Sequence, residues 1–255
     1  MVDQAIWDAG TRKVSQARQR ILDRLRQGLA NPKIPWPPAD APPLTPGEHM
    51  HVATLRAEDA GLEQRFAVEL EKLHGSSDIA DSMVAARMFT VRKILEWLDD
   101  TGPRRVLAWS ELNSWIPGLE ESLFDKDVEV VVPESLDNPD TRGDLQEIRV
   151  GVTGVEVAFA ATGSVLLKST PGQSRSASLL PLNHIALIPG TQLLPNVETW
   201  LEQHQQDGSL GHAIRNSANL TLVSGPSKSA DIESKLTLGV HGPKELHAVL
   251  YPVPG

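Results

Sequence analysis

The sequence predicts an α/β fold in which helices alternate with strands of a partly parallel sheet. Short apolar runs bounded by turn-forming residues recur between residues 105 and 251, and stretches with helical spacing separate several of them. Parallel strands need a crossover connection, which is usually a helix, so this alternation favours a sheet with parallel members. The first 47 residues follow a different pattern. We therefore divide the chain into an N-terminal helix with a proline-rich arm (1–47) and an α/β domain (48–255).

The N-terminal part combines a basic amphipathic helix with a proline-rich arm. Apolar residues recur at helical spacing from Thr11 to Ala30, and arginines occupy the other faces. Asn31 to Gly47 then holds seven prolines in seventeen residues, which favours an extended backbone. This arm can contact a partner or lie along its own domain, and the sequence leaves both alternatives open.

The remaining elements follow from apolar spacing and turn residues. The predicted helices are Glu58–His74, Asp81–Asp99, one that opens at Pro117, one near Thr141–Ile148, and Val197–Gln205. The predicted strands are Arg105–Trp109, Val128–Val132, Val155–Ala160, Ser164–Lys168, His184–Pro189, Leu220–Val223 and Glu245–Tyr251. We interpret Gly151 to Gly154 as a turn because of its two glycines.

Composition limits the function classes. The formal net charge of −9 argues against a dominant contact with nucleic acid or anionic lipid. The sequence contains no cysteine, which excludes disulfides, thiolate nucleophiles and Cys-ligated metal centres in this chain. There is no apolar run of membrane-spanning length and no signal-peptide pattern, so we expect a cytoplasmic protein without membrane insertion.

The loop that follows Leu220–Val223 is the first candidate site. After Gly225-Pro226, the residues Ser227 and Lys228 offer a hydroxyl and a cation to an anionic ligand. In the structural alternative, the Gly-Pro pair shapes a turn, Ser229 caps the next element and Asp231 hydrogen-bonds the loop backbone.

Three further positions are candidates. Thr162, Gly163 and Ser164 lie between two apolar strands, where they can cradle a phosphate or carboxylate or form an ordinary β-turn. His241 stands between two glycines and can act as an acid, a base or a ligand donor, and Glu156 is a weaker candidate for proton transfer. Since no Gly-x-Ser-x-Gly elbow is present, the catalytic residues remain unassigned.

The order of these pieces resembles that of the lactate-utilisation protein C family, also called LUD-domain proteins. The resemblance covers roughly Ala80 to Tyr251 and is carried by the segments GVT, AATGS, LLP with His184-Ile185, SGPSKSADIE and LGVHGPKELH. It implies a Rossmann-like α/β fold similar to that of sugar-phosphate isomerases and CoA transferases. The chain departs from the family pattern at Ala161, where an acidic residue is common, and at Lys228-Ser229, where Arg-Thr is usual.

The resemblance also implies a function. It indicates a non-redox accessory component of a system that oxidises L-lactate to pyruvate beside two iron–sulfur partner proteins, which would carry the clusters while this chain holds no cofactor or metal. The pocket expected for a small carboxylate or phosphate contains Thr162, Gly163, Ser164, Ser227, Lys228, Asp231 and His241. The alternatives are a free-standing isomerase or CoA-transferase-like enzyme that uses His241 or Glu156, and a scaffold or small-anion sensor.

Overall fold

The computed structural model describes residues 18–27, 61–98, 102, 104–110, 112–133, 143, 145–230, 236–239 and 241–253. The chain divides into two units, Met1–Met50 and His51–Gly255. In the first unit, residues 18–27 form helix α1, whose Ile21 and Leu25 side chains are exposed. The rest of the predicted first helix and the proline-rich arm lie outside the described residues.

The second unit contains the remaining described elements. Its helices are α2 (Leu62–Lys72), α3 (Met83–Trp97), α4 (Leu112–Trp115), α5 (Leu119–Phe124), α6 (Ser176–Leu179), α7 (Val197–Gln206) and α8 (Leu210–Arg215). Its strands are β1 (Ser76–Ile79), β2 (Arg105–Ala108), β3 (Glu129–Val131), β4 (Val150–Thr153), β5 (Val157–Phe159), β6 (Ser164–Ser169), β7 (Asn183–Pro189), β8 (Leu193–Leu194), β9 (Asn219–Val223), β10 (Lys228–Ala230), β11 (Leu236–Leu238) and β12 (Glu245–Tyr251).

Six strands form a parallel sheet in the order β1-β12-β7-β4-β2-β3. Central strands β7 and β12 are buried over almost their whole length, which explains their nearly continuous apolar sequences. The α/β prediction with parallel strands is confirmed.

Both faces of this sheet are covered, because successive residues of a strand point to opposite sides. On β12, Leu246, Ala248 and Leu250 join a core that contains Phe66 and Leu70 of α2. Val249 and Tyr251 join a second core that contains residues of α3, α4 and α5.

A smaller four-stranded sheet, in the order β8-β5-β6-β9, contributes to the α2 side of the core. Strands β5 and β6 form an antiparallel hairpin through Ala160–Gly163, and β9 pairs antiparallel with β6. Strands β10 and β11 form a separate antiparallel pair. The loop after β9 lies beside the segment that leads into β12, where the Ser227 N–H donates to the Pro243 carbonyl.

Two parts of the sheet differ from the sequence prediction. The interpretation of Gly151 to Gly154 as a turn was wrong, because Gly151 lies within buried strand β4. A Cβ on Gly151 would lie 1.8 Å from the Ala177 carbonyl oxygen, so the glycine is needed for the close approach of α6. Strand β1 was missed because its sequence, SSDI, is mostly polar.

None of the helices in the described part of the chain combines the length and apolar character needed to cross a membrane.

Candidate anion-binding site

The loop after β9 is fixed against the end of α2. Gly225 has φ +81°, and a Cβ there would lie 2.7 Å from Leu73 Cβ. Gly225 and Pro226 are both buried. The structure therefore supports a packing role for the Gly-Pro pair, with the polar residues presented immediately after it.

Backbone hydrogen bonds tie this loop to the segment before β12. The Ser227 N–H donates to the Pro243 carbonyl at 2.8 Å, and the Gly239 N–H donates to the Ser227 carbonyl at 3.0 Å. The two C-terminal motifs thus meet beside the β10–β11 pair, which brings Ser227 close to His241. Because the Ser227 N–H is engaged, its hydroxyl is the group that remains for a ligand.

Ser227 and His241 line a cavity of about 210 Å³, which we call the Arg175 cavity. Arg175 and Ser178 contribute its other side, and Ser224 lines it as well. Arg175 is exposed and stands at the start of α6, where its carbonyl accepts a hydrogen bond from the Ser178 hydroxyl at 3.1 Å. A guanidinium, hydroxyls and an imidazole around a small cavity are suited to a carboxylate or phosphate.

Arg175 was missed by sequence reasoning. It lies about fifty residues before Ser227 in the sequence. The one signal that could have indicated a polar loop there is the run Ser174-Arg175-Ser176 before an apolar segment. Lys228, which the sequence favoured as the cation, is exposed at the start of β10 and is not among the described residues that line the cavity. Asp231 lies outside the described residues.

Thr162 and Ser164 line a different cavity, of about 360 Å³, which we call the Glu198 cavity. The Ser164 and Ser224 hydroxyl oxygens lie 2.8 Å apart. Leu222 and Ser224 line both cavities, so the predicted residues are divided between two adjoining cavities rather than gathered in one pocket.

Gly163 serves the packing of the β5–β6 turn. Its φ is +61°, and a Cβ would lie 2.4 Å from the Leu70 backbone nitrogen of α2. The position therefore requires glycine for both its conformation and its close contact.

Glu156, the weaker catalytic candidate, lies 3.6 Å from Lys168 Nζ in an ion pair at the β5–β6 hairpin. It is not among the residues that line either cavity.

Two buried histidines lie in the parallel sheet. His184 Nε2 lies 2.9 Å from Thr153 Oγ1, and burial lowers the pKa of His184 to about 4. His247 lies between Ser76 Oγ (2.8 Å from Nδ1) and Asp78 Oδ2 (3.2 Å from Nε2). Burial is also the main cause that lowers the pKa of His247 to about 4. These contacts join strands of the sheet, and burial keeps both imidazoles neutral near pH 7, although the Asp78 carboxylate acts to raise the pKa of His247.

A larger open cleft of about 740 Å³ lies between α5 and β3. Its lining includes five acidic residues, Glu120, Glu121, Asp125, Asp127 and Glu129. This acidic lining disfavours anions, so the Arg175 cavity is the better candidate for an anionic ligand. Within the described ranges, no group of three or more metal-ligating side chains is arranged to hold a metal ion.

The parallel sheet with helices on both faces defines an α/β protein of the Rossmann-like class. The model of the LUD domain family matches residues 93–251. The chain belongs to the LUD domain family.

Several relatives are called Lactate utilization protein C. The protein of that name from Exiguobacterium sp. is 30% identical over 204 residues, which cover 79% of this chain and 72% of the relative. The protein from Shouchella clausii is 34% identical over 58% of this chain and 62% of its own length. The Bacillus subtilis protein is 35% identical over 41% of this chain and 43% of its own length.

A solved structure shares the fold. The crystal structure of a DUF162 family protein from Deinococcus radiodurans aligns with a TM-score of 0.50 and 19% identity, over 74% of this chain and 96% of that chain.

Proposed function

We propose that this chain is a non-redox accessory component of a cytoplasmic iron–sulfur system that oxidises L-lactate to pyruvate. The observation that carries the proposal is the similarity to Lactate utilization protein C of Exiguobacterium sp. over 79% of the chain. Membership of the LUD domain family supports it.

The proposal divides the chemistry between this chain and two iron–sulfur partners. The sequence has no cysteine and so provides no thiolate to ligate a cluster. The two electrons released when lactate becomes pyruvate would therefore pass to clusters on the partners. This chain would bind a ligand, assemble the partner proteins or regulate them.

The Arg175 cavity is the proposed binding site for a small carboxylate. The Arg175 guanidinium can donate two parallel hydrogen bonds to the carboxylate oxygens. Hydroxyls of Ser178 and Ser227 and the imidazole of His241 line the same cavity and provide further polar contacts. The volume of about 210 Å³ suits a ligand of a few heavy atoms.

Affinity purification of the tagged chain from its own host grown on L-lactate tests the partner proposal. We expect two iron-containing proteins to co-purify, with iron and acid-labile sulfide in the eluate. The same purification from cells grown on glucose is the control. An iron-free chain without stoichiometric partners, recovered under mild conditions from lactate-grown cells, would contradict the proposal.

A further inference from the structure

The Glu198 cavity adjoins the Arg175 cavity but has a different lining. It lies between the end of α2, the β5–β6 turn, β9 and the start of α7. Leu222 and Ser224 line both cavities, so the two share a border at these residues. A cavity with a cation thus stands next to a cavity of another chemical character.

The wall of the Glu198 cavity is mostly apolar, and part of this surface is exposed. Leu73, Phe159, Val197 and Leu222 provide it. The exposed fraction is 41% for Val197 and 56% for Leu222, although Leu222 lies within strand β9. Because apolar surface is stabilised when it leaves water, this wall favours a hydrocarbon group of a ligand.

Several polar groups beside this wall are engaged within the protein. The Ser164 and Ser224 hydroxyl oxygens lie 2.8 Å apart, and Asn196 Oδ1 accepts from the Thr199 N–H at 2.9 Å. The Glu198 Oε2 atom is fully enclosed, so a ligand in the cavity does not reach it. These groups therefore do not select a polar or charged ligand.

The two linings together match an acid with an alkyl chain. The Arg175 cavity offers a guanidinium to the carboxylate, and the neighbouring cavity offers apolar surface to the chain. We propose that this joint site binds 2-hydroxy acids whose alkyl side chain is longer than the methyl group of lactate and extends past Ser224 and Leu222 into the Glu198 cavity. The inference rests on the proposed carboxylate site and extends its ligand class.

The volume of the Glu198 cavity limits the length of that chain. About 360 Å³ is at the lower end of the range of small-molecule pockets, so the cavity suits a chain of a few carbons. Each methylene group that is fully removed from water should tighten binding roughly fourfold. The affinity should therefore increase with chain length until the cavity is full.

A series of L-2-hydroxy acids from lactate to 2-hydroxyhexanoate tests the proposal on the full chain. Calorimetric titration at pH 7 should show a gain in affinity for each added methylene, and 2-hydroxyhexanoate should displace L-lactate. The diol 1,2-hexanediol has the same chain without the carboxylate. It should bind roughly tenfold more weakly than 2-hydroxyhexanoate, because it lacks the charged partner of Arg175.

Val197→Trp and Val84→Trp are the matched variants. Val197 lies at the start of α7 and lines the Glu198 cavity, so a tryptophan there should occupy the space for the chain. Val84 is also partly exposed near the start of a helix, but α3 packs on the other face of the parallel sheet. Val197→Trp should bind L-lactate as the wild type does and lose the gain with chain length, whereas Val84→Trp should keep both.

The possible failures can be told apart. If L-lactate binds but longer acids bind no more tightly, or if the gain persists in Val197→Trp, the extended ligand class is wrong while the carboxylate site stands. Equal affinity for 2-hydroxyhexanoate and 1,2-hexanediol would also overturn the joint site, because the chain would then bind without the Arg175 cavity. If no acid of the series binds, the carboxylate site and the inference built on it are both wrong.

Discussion

Thr153 Oγ1 lies 2.9 Å from His184 Nε2 inside the parallel sheet, where neither residue is accessible to solvent. The two residues stand on adjacent strands, β4 and β7, and the hydrogen bond crosses from one strand to the other. A buried imidazole nitrogen needs such a partner, because water cannot replace it. This contact identifies His184 as a structural residue of the sheet.

Replacement of Thr153 by valine should destabilise the protein by about 1–3 kcal/mol, because the side-chain volume is kept while His184 Nε2 loses its partner. Thr153→Ser is the control, since it retains the hydroxyl. Urea unfolding followed by circular dichroism measures both. Valine and serine variants of equal stability would show that the hydrogen bond contributes nothing.

Acid should weaken the fold through the buried histidines. Burial holds the pKa of His184 and of His247 at about 4, below the value of 6.5 expected in the unfolded chain. The unfolded state therefore binds protons first as the pH falls, so the stability present above pH 6.5 is lost towards pH 4. Each histidine contributes a slope of up to about 1.4 kcal/mol per pH unit in that window.

His247→Gln tests this pH dependence. The free energy of unfolding should decrease between pH 7 and pH 5 in the wild type, and the decrease should be smaller in the variant. Urea titrations at several pH values give the slopes. A variant with the wild-type slope would exclude His247 as one of the groups responsible.

The β5–β6 turn should be sensitive to any side chain at position 163. Gly163→Ala places a Cβ 2.4 Å from the Leu70 backbone nitrogen and also strains a φ of +61°. Gly208 has a similar φ of +70° with nothing within 4 Å of its added Cβ, so Gly208→Ala reports the conformational cost of about 1–2 kcal/mol alone. Thermal unfolding should show a larger loss for Gly163→Ala, and equal losses would contradict the packing role.

Arg175→Gln should weaken L-lactate binding about tenfold or more, because glutamine keeps a polar group but loses the charge and the paired donors. Calorimetry with L-lactate measures the change. Lys126→Gln, which removes a cation from the α5–β3 side of the domain, is the control and should bind as the wild type does. If the Arg175→Gln variant bound L-lactate with unchanged affinity, the Arg175 cavity would be excluded as the binding site.

Much of the sheet was predictable because its central strands are apolar runs between turn residues. The prediction of Glu245–Tyr251 matches β12, and that of His184–Pro189 misses only the first residue of β7. Strands β1 and β4 were not predicted, and both omissions have a physical reason. The polar sequence of β1 suits an edge, and Gly151 in β4 is a close-packing residue that resembles a turn signal.

The site was only partly predictable. Ser227 and His241 lie in the two C-terminal motifs, which are close together in the sequence. Turns between these motifs are therefore enough to bring the two residues together. Arg175 and Glu198 come from distant segments, and only the tertiary packing around β9 brings them to the cavities. The roles assigned to Thr162, Ser164 and Lys228 remain predictions.

Growth of the source organism on L-lactate as sole carbon source tests the central claim most directly. A deletion of the gene should abolish growth on L-lactate but not on glucose. The wild-type gene should restore growth, and the Arg175→Gln variant should restore it poorly at equal protein levels. Normal growth of the deletion strain on L-lactate would contradict a role in lactate utilisation.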